Sequence, residues 1–149
     1  MTNAHNKLVT GTIDIAADPS AIFGMLSNPH EHHRFDGSGT IGTEVVGPRT
    51  LALGSTFKTK VRQKLFGYTT PNKVVEFEQD RLIAWKHFAP HRWRYELTPL
   101  PDGKTRVTET FDFTRYGPFS WTLFAIPATN KKSIDATLVR LKSVFEGTA

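Results

Sequence analysis

One short stretch of the chain concentrates side chains that could do chemistry. His30–Gly42 reads HEHHRFDGSGTIG and holds three histidines, two acidic residues and a match to the spacing G-x-G-x-x-G. On a helix His30 and His33 would share a face, and imidazole is a common zinc ligand to which Asp36 could add an oxygen. The spacing is not H-E-x-x-H, and no further ligand nearby belongs to the set. We therefore expect no metal site here.

The glycines of the same stretch do not fit a dinucleotide loop. A working G-x-G-x-x-G follows a strand and opens a helix, whose N-terminus holds the pyrophosphate. Here Gly37–Gly42 follows a predicted short helix and leads into a predicted strand. We expect no nucleotide and no other cofactor. Asp36-Gly37 is typical of a turn, so the stretch is interpreted as a surface junction.

A hairpin predicts a second set of chemically capable residues. The turn Leu100–Lys104 reads LPDGK. Its proline and aspartate suit the two central positions of a type I turn, and its glycine suits the left-handed residue that closes a three-residue loop. This register places Tyr95 opposite Glu109 and Trp93 opposite Phe111, all four on the apolar side of the sheet.

Tyr95 and Glu109 are therefore predicted to meet on the inner surface. An inward glutamate is costly unless it is paired or reaches water. If Lys86 points to solvent, Trp85 and His87 of the preceding strand also point inward. Tyr95, Glu109 and His87 are the candidates for acid–base catalysis or for orienting a ligand. In the plainer alternative, Tyr95 simply satisfies Glu109.

Length and composition exclude several classes of protein. A chain of 149 residues predicts one domain, which we place at residues 8–149 after a flexible tail at residues 1–7. The absence of cysteine excludes disulfides, thiolate catalysis and cysteine-ligated metals. The tail lacks the apolar core of a signal peptide. The longest apolar run, around Phe119–Ala128, is too short to span a membrane. These features favour a cytoplasmic protein.

The basic charge does not by itself indicate a nucleic-acid partner. The formal net charge is +5, and alternate residues from 58 to 64 form a basic stripe on one strand. Phe57 and Leu65, on the other side of that strand, require the core, so the stripe should face solvent. We expect Glu76 and Glu78 of the next strand to meet it across the ladder. No nucleic-acid motif accompanies the stripe.

The predicted elements are one strand, two short helices, six strands and a long helix. Leu8–Ile15 alternates as a half-buried strand, and Asp18-Pro19 begins a helix. From Thr40 onward six segments have period two, which predicts an antiparallel sheet. A final amphipathic helix spans about Thr129–Glu146. The apolar face of the sheet and the apolar stripe of this helix should pack together.

This pattern resembles a known family. The stretches GTIDIAADPSAIF, FDGSGT, RLIAW, RVTETFDF and ATLVRLK are similar, in order and spacing, to the START-like superfamily that includes the major birch pollen allergen. The bacterial polyketide cyclase/dehydrase branch is the most similar. The resemblance covers roughly Leu8 to Glu146. It implies an α+β helix-grip fold, in which a curved seven-stranded antiparallel sheet wraps around the C-terminal helix.

The resemblance also implies a cavity between sheet and C-terminal helix that holds an apolar or aromatic ligand. It permits His32 or His33 to border the entrance, and the segment Phe119–Pro127 is expected to cover one end. The residues that we expect to line the cavity combine rings, aliphatic groups and the polar candidates. They are Phe57, Val61, Phe77, Trp85, His87, Trp93, Tyr95, Glu109, Phe111, Trp121 and Leu138.

Three functions remain open from the sequence. The first is a binding protein for a small hydrophobic, lipid-like or aromatic molecule. The second is a polyketide cyclase or dehydratase that uses the acid–base candidates of the cavity. The third is a regulator that binds a partner through the basic exterior. We expect a monomer or a weak homodimer.

Overall fold

A computed structural model describes residues 8–63, 65–87, 91–114 and 125–147, with the side chains of 63 and 125–130 left out. The predicted tail, Trp121 and most of the segment expected to cover the cavity lie outside these ranges. The strands are β1 (Leu8–Ile15), β2 (Ile41–Val46), β3 (Thr56–Gln63), β4 (Phe66–Glu78), β5 (Leu82–Lys86), β6 (Arg92–Pro99) and β7 (Thr105–Asp112). The helices are α1 (Pro19–Leu26), a 3₁₀ helix (Pro29–Arg34) and α2 (Ala125–Glu146).

The seven strands form one antiparallel sheet in the order β1-β7-β6-β5-β4-β3-β2. Helix α2 lies across β1 and reaches β7 and the 3₁₀ helix, while α1 packs on β6. The core cluster lies between the concave face of the sheet and these helices. This confirms the predicted helix-grip α+β fold. Helix α2 begins four residues before the predicted start at Thr129.

The hairpin β6–β7 has the predicted register. Tyr95 pairs with Glu109 and Trp93 with Phe111. Gly103 has φ +80°, and the amide of Leu100 donates to the carbonyl of the residue four positions later at 2.8 Å. Proline, aspartate and glycine therefore form the turn that their chemistry favours.

Strand β4 departs from simple alternation. Val74 pairs with Trp85, but Glu76 pairs with Ala84, so Val75 is an extra residue in a β-bulge. Simple alternation with Glu76, which the sequence predicts to face solvent, would place Val75 on the inner face. That placement is wrong, because the bulge makes Val74 the buried residue and leaves Val75 half-buried.

The β3–β4 hairpin corrects two further expectations. Leu65 was expected to face the core, but it lies between the two strands and is 96% exposed. The basic stripe of β3 does not meet Glu76. Instead Glu44 of β2 pairs with Lys60 at 2.9 Å and with Arg62 at 3.8 Å. The neutralising strand is therefore the one on the other side of β3.

Two glycines allow α2 to approach the rest of the molecule closely. A Cβ at Gly11 of β1 would lie 2.7 Å from Ile134 Cγ2. A Cβ at Gly37 would lie 2.4 Å from the backbone nitrogen of Thr137. The Gly37 amide donates to the Thr137 hydroxyl at 2.8 Å. The glycine-rich junction thus seats the C-terminal helix and leads into β2.

Candidate functional site

The polar centre of the concave face is the pair Tyr95–Glu109. The antiparallel register of β6 and β7 places the two residues side by side, and the Tyr95 hydroxyl donates to Glu109 Oε1 at 2.8 Å. Both side chains are buried. Glu109 Oε2 is also buried and has no hydrogen-bond partner. One carboxyl oxygen is thus satisfied within the pair and the other is not.

Burial controls the charge of this pair. Loss of water raises the pKa of the Glu109 carboxyl to about 8, against the opposing effect of the Tyr95 hydrogen bond. Burial also raises the pKa of the Tyr95 hydroxyl, and the adjacent Glu109 raises it further. At neutral pH both groups are therefore mostly protonated. A neutral carboxyl can donate a hydrogen bond from the oxygen that lacks a partner.

His87 belongs to a different polar cluster. The indole N–H of Trp93 donates to His87 Nε2 at 2.9 Å, so His87 Nδ1 carries the hydrogen that is donated to Asn72 Oδ1. Burial, with a smaller effect of His91, lowers the pKa of His87 to about 4. His87 is neutral, and both of its ring nitrogens are engaged. The structure therefore does not bring His87 into a hydrogen bond with Glu109.

One histidine of the opening stretch lies in the core. The His32 ring stacks on Trp85 with centroids 4.8 Å apart, and Nε2 donates to the carbonyl of Leu26 at 2.8 Å. Burial lowers the pKa of His32 to about 4. His30 turns away and bonds the carbonyl of Gly47 at 2.9 Å. The shared helical face considered for a metal is therefore not formed as a ligand set.

The other predicted lining residues lie on the inner side of the sheet or on α2. Phe57, Trp85, Phe111 and Leu138 are in the core cluster. Val61 is also buried, and Phe77 and Trp93 are partly buried against the core. The contact predicted between Trp93 and Phe111 is present, with ring centroids 4.6 Å apart. Trp121 lies outside the described residues.

A cleft of about 400 Å³ lies beside this face. Its lining takes residues from both faces of β3 and β4 and from the ends of β2 and β5. These residues are Val46, Gly47, Thr56, Phe57, Lys58, Pro71, Asn72, Lys73 and His87. The cleft thus joins apolar, polar and cationic groups.

Sequence reasoning missed two residues of the inner face. Asn72 is buried and binds His87, and its amide also donates to the Thr70 carbonyl at 3.0 Å. In the sequence it follows Pro71, a pattern typical of a turn. The alternation of Thr70, Asn72 and Val74 was the available signal. His32 was placed only at a possible entrance, and no periodicity marks a residue in a 3₁₀ turn.

Two kinds of feature are absent from the part of the chain that the structure describes. No three side chains among histidine, aspartate and glutamate come together there as a metal site. No helix in the same ranges is long and apolar enough to cross a membrane.

The fold and the inner face define a class. The chain is a helix-grip protein in which aromatic side chains line the inner face of the sheet, and the buried pair Tyr95–Glu109 lies among them. The family model described as "Polyketide cyclase / dehydrase and lipid transport" matches residues 7–146. The chain belongs to this family.

Curated relatives share part of the sequence, and solved structures share the fold. The uncharacterized protein Rv0088 of Mycobacterium tuberculosis is 33% identical over 144 residues. The match covers 92% of this chain and 63% of that protein, so the chain spans less than two thirds of its curated relative. A Rhodobacter sphaeroides protein of known crystal structure has a TM-score of 0.74 at 13% identity, over 99% of this chain and 95% of that one. The Aha1 dimer of Colwellia psychrerythraea has a TM-score of 0.66 at 18% identity, over 93% and 96%.

Proposed function

We propose that the chain binds a small hydrophobic or aromatic molecule between the concave face of the sheet and α2. The observation that carries the proposal is the buried Glu109 Oε2 without a partner. An unpaired buried polar group costs free energy that a ligand hydrogen bond would recover. A ligand with one carbonyl or hydroxyl on an otherwise apolar body meets this requirement.

The surrounding side chains support the same ligand class. Phe57, Trp85 and Phe111 present rings on the inner face, and rings of this kind bind apolar and aromatic bodies. Tyr95 would fix the orientation of the Glu109 carboxyl through their hydrogen bond. The family description includes lipid transport, which agrees with an apolar ligand.

Native mass spectrometry of freshly purified protein tests whether a ligand is retained. A titration with the neutral fluorophore N-phenyl-1-naphthylamine tests directly whether the inner face of the sheet binds an aromatic molecule. We expect saturable binding that Glu109→Gln and Tyr95→Phe weaken several-fold, because each change nearly preserves shape and alters polarity. Glu96→Gln is the matched control, since Glu96 faces the outer side of the same hairpin. No saturable binding and no retained mass would reject the proposal.

A polyketide cyclase or dehydratase is the second candidate. It is favoured by one observation, the raised pKa of a buried carboxyl in the inner face. Protonated Glu109 would give its proton to a substrate carbonyl, and the rate would fall as pH rises through about 8. Replacement of Glu109 by glutamine should then lower turnover of a linear polyketone by about 10²-fold or more. Binding that survives with no turnover in any variant would leave a carrier.

The oligomeric state and the compartment stay proposals. We propose that the protein is a monomer or a weak homodimer. One structural neighbour is a dimer. Sedimentation velocity across a concentration series distinguishes the two. The expected cytoplasmic location is tested by cell fractionation.

A further inference from the structure

A row of basic residues crosses the outer face of four neighbouring strands. Lys73 of β4 is directly opposite Lys86 of β5, and Lys86 is directly opposite Arg92 of β6. Lys58 of β3 is diagonal to Lys73, because Lys58 pairs with Pro71. Like charges directly opposite on a sheet are destabilising. This row therefore costs folding free energy unless something neutralises it.

Among the described residues, acidic side chains pair with several basic residues of the exterior, but not with the three lysines of this row. Arg92 pairs with Glu76 at 3.4 Å. Lys60, two residues after Lys58 on the same face of β3, pairs with Glu44 at 2.9 Å. Within the described ranges, Lys58, Lys73 and Lys86 have no acidic partner. We name these three residues the lysine corner. The ammonium groups of these three lysines can therefore bind an anion from outside the chain.

The lysine corner adjoins the cleft of about 400 Å³. Lys58 and Lys73 line that cleft together with the apolar side chains of Val46, Phe57 and Pro71. Val46 is 71% exposed, so part of this apolar surface faces water. A cleft with cations on one side and apolar groups on the other matches a molecule with an anionic end and a hydrocarbon body.

We propose that this cleft binds an anionic amphiphile, with its carboxylate or phosphate on Lys58 and Lys73 and its apolar chain against Phe57 and Pro71. The inference goes beyond the proposed function, because the cleft contains neither Glu109 nor any residue of α2. Phe57 belongs both to the cleft and to the core cluster of the inner face. The apolar chain of the amphiphile therefore lies next to the inner face of the sheet, which the proposed function assigns to the hydrophobic ligand.

The charge and the concave shape of the cleft favour an anionic amphiphile over a partner protein that binds only the basic exterior. A compact anionic group can reach both lysines, while the concave cleft encloses the adjoining chain. A regulator that bound only the basic exterior would use the lysines without the apolar lining. The two cases separate by experiment, because only an amphiphile requires both parts of the cleft.

The test compares sodium decanoate with 1-decanol, which has the same chain length and a neutral end, by isothermal titration calorimetry of the full chain. We expect decanoate to bind about tenfold more tightly than decanol. The double variant Lys58→Gln/Lys73→Gln should remove that advantage and leave decanol binding unchanged. The control variant Lys104→Gln/Lys132→Gln changes the net charge equally, away from the cleft, and should keep the advantage.

The outcomes separate the two proposals. Equal affinity for decanoate and decanol would overturn the anionic-ligand inference and leave the hydrophobic-binding function intact. Equal loss of decanoate binding in the cleft and control variants would also overturn it, since general charge would explain the preference. Failure of decanoate to bind would overturn the anionic-ligand inference, while the N-phenyl-1-naphthylamine titration still decides the proposed function. Sodium phosphate that binds as tightly as decanoate would show an anion site with no role for the chain.

Discussion

Glu109 shows how the environment of one residue decides its chemistry. An exposed carboxyl at neutral pH is a charged acceptor, but Glu109 is 3% exposed and its carboxyl is mostly protonated near neutrality. Tyr95 satisfies one oxygen, and the other has no hydrogen-bond partner. The same residue type on the outer face, Glu96, pairs with Arg94 instead. Strand parity therefore separates a buried, half-satisfied acid from a surface ion pair.

The raised pKa of Glu109 predicts how stability depends on pH. Its pKa rises from 4.5 in the unfolded chain to about 8 in the folded protein, so only the folded state keeps the proton between these values. Stability should fall as pH rises from 6.5 to 8, by about 1.4 kcal/mol per pH unit, and level off above. Urea unfolding at pH 6.5 and 8.5 measures the fall. Glu109→Gln should abolish it, and an unchanged fall in that variant would assign it to another group.

His32 and His87 are both held by hydrogen bonds inside the protein. His32 donates to a carbonyl and stacks on Trp85, and His87 connects Trp93 to Asn72. Burial keeps the pKa of both rings near 4, so neither is a cation at neutral pH. Their hydrogen-bond partners determine their tautomers. A proton-transfer role for His87 would require one of its two bonds to break.

At the scale of elements, glycine sets the distance between α2 and its neighbours. Gly37 meets the α2 backbone, which cannot move as a side chain can. Gly37→Ala should destabilise the fold by about 1–3 kcal/mol through overpacking. Gly24 of α1 is the matched control, because a Cβ there meets nothing within 4 Å. Gly24→Ala should be neutral or stabilise by about 0.5–1 kcal/mol. Equal urea midpoints for both variants would contradict the close packing.

The apolar stripe of α2 makes a second prediction at this scale. Leu138 is buried in the core cluster and Val139, the next residue, is 58% exposed. Leu138→Ala should destabilise by about 2–5 kcal/mol, because it leaves a cavity under the helix. Val139→Ala should change stability by less than about 0.5 kcal/mol. Chemical denaturation measures both, and a small loss at Leu138 would mean that α2 does not depend on this face.

The elements that sequence predicts best are those where independent signals agree. For β6–β7 the turn residues and the apolar alternation specify one register, and Tyr95 faces Glu109 as predicted. In β4 simple alternation places Val75 on the inner face, and the bulge that buries Val74 instead depends on pairing with β5. The β3 stripe was assigned to the wrong acidic strand because Glu44 lies in β2, an element with weak alternation.

At the scale of the molecule, element order was enough to predict the fold but not the site. One apolar sheet face and one helical stripe have few ways to be buried together, and the chain adopts the helix-grip arrangement. The site depends on which inward residues are paired. Sequence predicted the Tyr95–Glu109 contact, but not that His87 would be bound to Asn72. Asn72 of β4 and His87 at the end of β5 lie on consecutive strands, but the bulge in β4 shifts the register between these strands, and local sequence patterns do not report a bulge.

The buried acid and the buried histidines together predict the pH profile of the whole molecule. The pKa of His32 and of His87 is about 4 in the folded state and about 6.5 in the unfolded chain. The unfolded state therefore binds two more protons as pH falls from 6.5 towards 4, which lowers stability. Glu109 acts in the opposite direction over this range, since there the folded state holds its proton. The net loss from these three groups should be about 1.4 kcal/mol per pH unit between pH 6.5 and 4.5. Burial also lowers the pKa of His91, which adds to the loss in the same direction.

Histidine variants test this balance through the slope, so a general loss of stability does not obscure the result. His32→Gln or His87→Gln should each lower the slope by about 1.4 kcal/mol per pH unit, since each removes one proton from the difference. Glu109→Gln should raise it by the same amount. Urea unfolding at pH 4.5, 5.5 and 6.5 gives the three slopes. If a histidine variant and Glu109→Gln shifted the slope in the same direction, the opposed titration of the two kinds of group would be wrong, and the inner face would be more hydrated than its packing indicates.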